Sequence, residues 1–430
     1  MNIEEYIQSF GKVKYWFKEE VRQQHHYRRI LNVLDRKDYL DGKHKIHTRK
    51  NSTHKGQPYI TTKLVIQYVK PILNFMASYV LGRPVTLAGS ETMVKVFQEI
   101  YRNNDYEDMD YRILDSVNKY GDIYEYIYLD KGLVKSHIIT ADSGYPVYNS
   151  KNELISFIEH YIDANSSMIH YIVYHNDRVE EYESRKGDIV LVDTKENFSG
   201  LPIHYHNYND QSELEGRSEL DDIVPIIDVL EDIFSKYIDG LYIYGLSPLP
   251  IAIGQRIESA IDSDEVGYVL NLEDGANFKL INSTMDYNSF REIYNKLMVA
   301  LMDISQVPSV ALNNANINNV SETTIIILYS LATGKAQLTT KWLRKGFRQR
   351  FDKIRRLLEL QGNKFNQSEY IDVEFQLNTP VATGDIVQNL DKLRNMGVVS
   401  KKTIQEIIPY IKDVSQENQR LNEEKETRTD

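Results

Sequence analysis

Between residues 321 and 360 the chain holds no proline, and its apolar residues recur at helical spacing. Leu328, Leu331, Leu338 and Trp342 step by three, seven and four; Phe347, Phe351, Ile354 and Leu358 carry the stripe on after a one-residue shift near Gly346. The pattern predicts one helix about 60 Å long at 1.5 Å per residue. Ser321 stands where an N-cap hydroxyl would satisfy a first-turn amide, and Gly362 where a left-handed C-cap residue falls. The register shift predicts a kink at Gly346, with Gly334 as a second weak point. Just upstream, Asn313-Asn314-Ala315-Asn316-Ile317-Asn318-Asn319 has no apolar period and reads as a polar loop. An asparagine-rich loop therefore feeds a long, bent helix.

The remaining segments are shorter. Residues 1 to about 55 read as a polar, basic, helical arm. Residues 63–81 show one apolar face (Leu64, Val65, Tyr68, Ile72, Phe75, Met76, Tyr79, Val80) and predict a helix stopped by Gly82-Arg83-Pro84. Val85-Thr86-Leu87 reads as a short strand, and residues 91–119 as a second helical segment. From 121 to 208 the period changes to two, in runs such as Ile123-Tyr124-Glu125-Tyr126-Ile127-Tyr128 separated by turn signals such as Asp130-Lys131-Gly132; this predicts an antiparallel meander set among helices. Ser218 and Asp221 are spaced as a capping box. Pro225 predicts the first turn of a helix reaching about Tyr244, apolar along Ile226, Val229, Leu230, Ile233, Phe234, Tyr237 and Leu241 and acidic on its other face. Residues 251–283 read as a compact αβ insert with strands at 268–270 and 278–281. Residues 286–304 are helical again, 371–377 alternate as a strand, and two helices follow, from 383 to 396 and from 401 into the charged tail. The fold class is α+β, without internal repeats.

Composition narrows the classes. A chain of 430 residues has room for several units, and its 31 tyrosines suit half-buried sheets and subunit contacts. Zero cysteines exclude disulfides and thiolate chemistry. No apolar run is long enough to span a bilayer, and the first ten residues do not read as a signal peptide. The net charge of −11 argues against a protein that coats nucleic acid. It is unevenly placed: residues 215–239 carry eight acids against Arg217 and Lys236, and 335–356 carry nine bases against Asp352. His44, His47 and His54 lack carboxylates at ligand spacing and read as part of a solvated arm rather than a metal site.

Candidate catalysis is thin. Gly334-Lys335-Ala336 lacks the upstream glycine and the Ser/Thr of a phosphate loop, and no dinucleotide, zinc-protease or serine-elbow motif occurs. His204 and His206 alternate on a strand and mean little alone. Adjacent acids such as Asp221-Asp222 and Glu231-Asp232 do not converge as neighbours on a helix. No enzyme activity, cofactor or metal is expected.

Six fragments, in order, share the pattern of one family. They are Tyr39-Leu40-Asp41-Gly42-Lys43-His44-Lys45-Ile46; Tyr79-Val80-Leu81-Gly82-Arg83-Pro84-Val85; Asn197-Phe198-Ser199-Gly200-Leu201-Pro202-Ile203 with Asn207; Gly216-Arg217-Ser218-Glu219-Leu220 with Ile226-Ile227-Asp228; Val307-Pro308; and Gly397-Val398-Val399-Ser400-Lys401-Lys402-Thr403 with Ile408-Pro409 and Asp413-Val414. In them the chain resembles the portal proteins of tailed bacteriophages, in the branch of the Bacillus siphophage portals. It departs at Ser321-Glu322-Thr323-Thr324-Ile325, where that family often has Ser-Gly-x-Ala-Leu.

The resemblance implies a ring-forming portal fold of wing, stem, clip and crown. The wing would be 1–217, with the long helix and a returning strand at 321–380; stem helices would be 218–247 and 284–306, the clip 248–283, the tunnel loop 307–320 and the crown 381–430. It implies a homo-oligomeric ring of twelve at one capsid vertex, made in the bacterial host cytoplasm and resident in the virion. Double-stranded DNA passes through it. The terminase large subunit and head-completion or adaptor proteins dock on it, major capsid and scaffolding proteins surround it, and no membrane is involved. Asn313, Asn314, Asn316, Asn318 and Asn319 would face the DNA; Asp228, Glu231, Asp232 and Asp239 would line the stem; Gln255, Arg256, Glu258, Asp262, Asp264 and Glu265 would form the docking face of the clip. A conduit must not hold its cargo, and repeated carboxylates repel phosphates where an array of bases would trap them. The basic face of 341–356 is expected away from the channel, paired with acids of a neighbouring subunit. The alternatives are another virion adaptor ring, or a packaging nuclease or NTPase; the latter would need a phosphate loop or a convergent carboxylate cluster.

Overall fold

The computed structural model describes residues 3–11, 14–54, 57–185, 187–245, 249–254, 274–281, 286–309, 322–379, 383–408, 417–418 and 420–421. It divides into a large unit, residues 1–313 with 331–377, and a small one, 314–330 with 378–430.

In the large unit the alternating region folds as two antiparallel sheets. Strands Gly144–Tyr148, Leu154–Ile162, Ile169–Tyr174, Arg178–Arg185 and Asp188–Glu196 pair in chain order as a five-stranded meander. Asp122–Asp130 pairs with Leu133–Ile139 on one side and with Ile203–His206 on the other, in a three-stranded sheet. The strand Thr86–Gly89 finds its partner across the chain in Ile371–Glu374, with Leu87 opposite Val373. Of the αβ insert, Leu249–Ile253 pairs with Asn277–Ile281; the expected strand at 268–270 lies outside the described residues.

Several helices differ from expectation. The long helical stretch is interrupted at Tyr329, giving Glu322–Leu328 and Ser330–Leu360. The second piece runs through both Gly334 and Gly346. Gly346 is there for closeness rather than bending: a Cβ on it would lie 2.3 Å from the Tyr205 ring. Leu331 and Leu338, expected inside, are exposed, while Ala332, Ala336 and Leu343 are buried, so the core face is turned from the one the largest residues suggest. The C-cap is as expected: Gly362 has φ +95°, its N–H donates to Glu359 O at 3.0 Å, and Asn363 N–H donates to Leu358 O at 3.1 Å. Ser321 lies outside the described residues. Residues 91–119 form two helices, Glu91–Asn103 and Tyr106–Tyr120, broken where Asp105 takes a left-handed φ of 49°. The helix Leu220–Gly240 begins before Pro225 and passes through it. The expected capping box is absent, because the Ser218 hydroxyl donates to Lys119 O at 2.6 Å and accepts from Leu220 N, while Asp221 pairs with Arg36.

The long helix is anchored by Arg350, which is fully buried. Its Nε donates to Glu125 Oε2 at 2.9 Å and its Nη1 to Asp110 Oδ1. The guanidinium lies 4.6 Å from the Tyr106 ring centroid and 4.7 Å from that of Phe347. Glu125 also accepts from Tyr205 Oη at 2.7 Å and from Ser136 Oγ at 2.7 Å. Burial, outweighing Arg350, raises Asp110 to about 6. One cation thus joins the long helix to the helix Tyr106–Tyr120 and to all three strands of the smaller sheet. One turn further on, Lys353 Nζ donates to Ser199 O at 2.5 Å and Leu201 O at 2.7 Å, and Asn197 Oδ1 accepts from Gly200 N at 3.1 Å, closing the 197–202 loop. Burial, with Arg356 nearby, lowers Lys353 to about 8.

Gly346→Ala is expected to lower stability by about 1–3 kcal/mol through overpacking against Tyr205, read as a fall in unfolding midpoint. Lys353 gives a pH signature. The folded chain holds its proton less tightly than the unfolded chain, so from about pH 8 to the lysine's ordinary 10.5 unfolding takes up a proton, and this group's contribution to stability grows as pH rises. The stability difference between the parent and Lys353→Met should therefore shift in the parent's favour across that window, in urea melts at stepped pH.

Candidate functional site

The acidic helix Leu220–Gly240 packs against the helix Tyr287–Ser305 through Ile223, Ile227, Leu230, Met298, Leu301 and Met302. Tyr237 stacks on Phe290 with centroids 3.9 Å apart, and Phe234 meets Phe290 edge-on at 5.3 Å. Asp286 caps the second helix, accepting from Ser289 N at 3.0 Å. These are the two segments expected to pair as stem helices.

Residues 63–68, expected as the start of a helix, stand outside it; the helix begins at Val69. The reason lies in hydrogen bonding. Thr62 N–H donates to Asp239 Oδ1 at 2.9 Å, Leu64 N–H to Ser235 Oγ at 3.0 Å, and Ile66 N–H to Glu231 Oε1 at 2.7 Å. Alternate amides of an extended strap meet side chains four residues apart on a helix. Two strand residues advance about 6.6 Å and four helical residues about 6.0 Å, so the two periods match. The strap's ends are tied as well. Tyr59 Oη donates to Asp239 at 2.8 Å, Arg49 pairs with Asp239 at 2.7 Å, and His44 Nδ1 lies 2.6 Å from Glu231. His44 stacks on Tyr39 at 3.8 Å, across a turn closed by Gly42 at φ +92°.

This changes the placement of the acids. Glu231 is 0% and Asp239 5% exposed, so neither lines an open surface of this subunit; both are consumed by the strap and the arm. Asp228 is half-buried, and burial, partly opposed by Lys45 and His44, raises its pKa. Asp232 is half-exposed and pairs with Lys236 at 2.6 Å. His44 is buried, against the expectation of a solvated arm. The basic face also finds its partners at home. Lys335 pairs with Glu219, Arg344 and Arg348 with Asp372, Arg350 with Asp110 and Glu125, and Arg355 with Glu359. These pairs lie within one chain. Asn313, Asn314, Asn316, Asn318 and Asn319, and Gln255, Arg256, Glu258, Asp262, Asp264 and Glu265, lie outside the described residues.

Two features escaped sequence reasoning although a signal was there. Arg350 falls on the apolar stripe between Phe347 and Ile354, where a cation must be met by carboxylates. Glu231, Ser235 and Asp239 recur every four residues beside Ile227 and Leu230, a polar line too regular for a solvated face.

A family model described as phage portal protein, SPP1 Gp6-like, matches residues 20–430. The chain belongs to that family. With membership comes its role, a portal ring of the virion. Among solved structures, the neck of a native gene transfer agent particle computed with C12 symmetry is similar at TM-score 0.47 and 12% identity, covering 79% of this chain and 89% of that one. The virion of a native gene transfer agent particle follows at TM-score 0.44 and 11% identity, again covering 79% and 89%. No curated protein matches. In this portal chain the family-like motifs are structural joints. Tyr39 to His44 seats the acidic helix, Asn197 to Leu201 receives Lys353, and Gly216 N–H donates to Asp122 at 2.7 Å where the smaller sheet meets that helix. Among the described residues no helix is long and apolar enough to cross a membrane.

Burial alone would raise Asp239, but the Thr62 amide and hydroxyl, the Tyr59 hydroxyl and Arg49 outweigh it and hold the carboxyl below its usual value. Asp239→Ala, which strands Arg49 and the Thr62 amide, is expected to cost about 3 kcal/mol at pH 7 in urea unfolding. Asp239→Asn, which keeps an acceptor, should cost less. Its deficit should close only below about pH 4, where the parent's carboxylate takes up a proton and its stabilising charge is lost.

Proposed function

We propose that the chain is one subunit of a twelve-membered ring at one capsid vertex, through which double-stranded DNA is packaged and ejected. The family match across residues 20–430 carries this reading, and the strapped helix pair supports it. In it, 220–240 and 287–305 are stem helices held at a set angle to the wing by the strap, 248–283 is the clip, 307–320 the tunnel loop and 381–430 the crown. The terminase large subunit docks on the clip during packaging, and head-completion or adaptor proteins dock there afterwards. Scaffolding and major capsid proteins meet the wing. The subunit works as a conduit and a dock, not as an enzyme.

Of the four acids first assigned to the channel, Asp232 is the one left to line it, because Asp228 has a buried carboxylate oxygen and faces Lys45 and His44 of the arm. Repeated around a ring, even one carboxylate per subunit makes a continuous negative belt, which keeps the duplex from adhering. The asparagines of the tunnel loop contact phosphates as neutral donors, without the counterion release that makes lysine arrays adhesive.

Deleting residues 313–319 should leave ring formation intact, judged by mass and electron microscopy, and reduce the DNA packaged per particle. Loss of the ring itself on that deletion would make the loop a structural element instead.

A further inference from the structure

Near the start of the arm, apart from the joints described above, three side chains able to bind a metal converge. Glu20 ends the helix Trp16–Glu20, and His25 and His26 stand in the first turn of the helix Gln24–Leu40. Each brings one ligand atom within 4.8 Å of the other two. Glu20 and His26 are buried, at 1% exposure each, whereas His25 is open to solvent. His26 Nε2 lies 3.1 Å from Glu20 Oε1, six residues away in the chain. That separation suits two ligands on one small ion, since bonds of about 2.0–2.2 Å to nitrogen and oxygen put tetrahedral ligand atoms roughly 3.3 Å apart. His25, the exposed member, has the rotamer freedom to close the rest.

The two buried members are held in place by their surroundings. Tyr6 Oη donates to Glu20 Oε2 at 2.8 Å, the kind of outer hydrogen bond that orients a ligating carboxylate. The Tyr145 ring meets His26 edge-on, with centroids 5.2 Å apart. Trp16 and Phe17, on the same short helix as Glu20, share a core with Tyr145, Val147 and Ile158 of the five-stranded sheet.

What the cluster lacks is charge balance. Among the described residues no lysine or arginine comes within salt-bridge distance of Glu20, whose one such neighbour is His26. Arg29, one turn on, gives its guanidinium to the carbonyls of Ala141 and Gly144. A buried carboxylate without a full counter-charge is costly. His26 is short of a partner too, because its Nδ1 is buried and meets no hydrogen-bond partner. Moving the ring's proton from Nε2 to Nδ1 breaks no bond except the one to Glu20, and it sets the Nε2 lone pair against Oε1. A divalent cation between the two resolves that clash and neutralises the carboxylate.

We propose that Glu20, His25 and His26 bind one divalent transition-metal ion, of the zinc, cobalt or nickel class, with solvent in the remaining position. Two imidazoles with a single carboxylate suit those ions rather than magnesium or calcium, which take oxygen ligands. An ion there ties the end of one helix to the start of the next and fixes how the arm enters over the sheet. The proposal is independent of the ring reading. The full chain, stripped with a chelator, would be titrated with Co2+, whose visible d–d absorption reports its ligands, and then with Zn2+. The expected result is one equivalent of Co2+ bound and displaced by Zn2+, with a higher unfolding midpoint in Zn2+. His25→Ala, a change at the surface, should abolish both the band and the shift in midpoint. Glu20→Gln, which keeps an acceptor for Tyr6, should do the same. His47→Ala, at an exposed histidine elsewhere on the arm, should change neither. A parent chain that binds no stoichiometric cobalt, or a band that survives in His25→Ala, would overturn the site.

Discussion

A helix that turns three polar side chains inward must find them partners, because a buried unpaired carboxylate costs several kcal/mol. In this chain Glu231, Ser235 and Asp239 are met by the amides of Ile66, Leu64 and Thr62. The bargain is mutual, since an extended strap lying on a helix leaves alternate amides without a sheet to enter. The strap therefore holds the acidic helix, and the acidic helix keeps the strap from winding into the helix that its own residues favour. The arm adds His44 and Arg49, so an N-terminal segment, a strap and a stem candidate form one joint.

Arg350 does the same for the wing. A guanidinium buried with Asp110 and Glu125 adds little net stability over a well-packed apolar core, but it is demanding about geometry. Misplacing any one of the elements it joins leaves a charge alone in the interior. The Tyr205 ring against Gly346 enforces the same register by contact. Between them the two joints fix the register of the elements they connect.

Much of this was legible in the sequence. The period-two region folded as antiparallel sheets, the Gly362 cap formed, and the ordered fragments identified the family that the match over residues 20–430 establishes. Where reading failed, tertiary hydrogen bonding overrode local pattern. Residues 63–66 have helical apolar spacing, yet their amides are worth more on Glu231 and Ser235 than to one another. Charge counting failed for the same reason. Eight acids between 215 and 239 read as a solvated or channel-facing set, but counting does not distinguish Asp232, which faces outward, from Glu231, which is sealed in one position away. The stripe of Leu331 and Leu338 misled because large apolar residues suggest a core face, whereas Ala332 and Ala336 allow closer packing.

The central claim is that these joints build a ring subunit. Mass determination of the purified chain, paired with electron micrographs of the same sample, tests it most directly. The account predicts closed rings with a central opening wide enough for a DNA duplex. A chain that stays monomeric or dimeric at high concentration, and also in the presence of scaffolding protein, would contradict it.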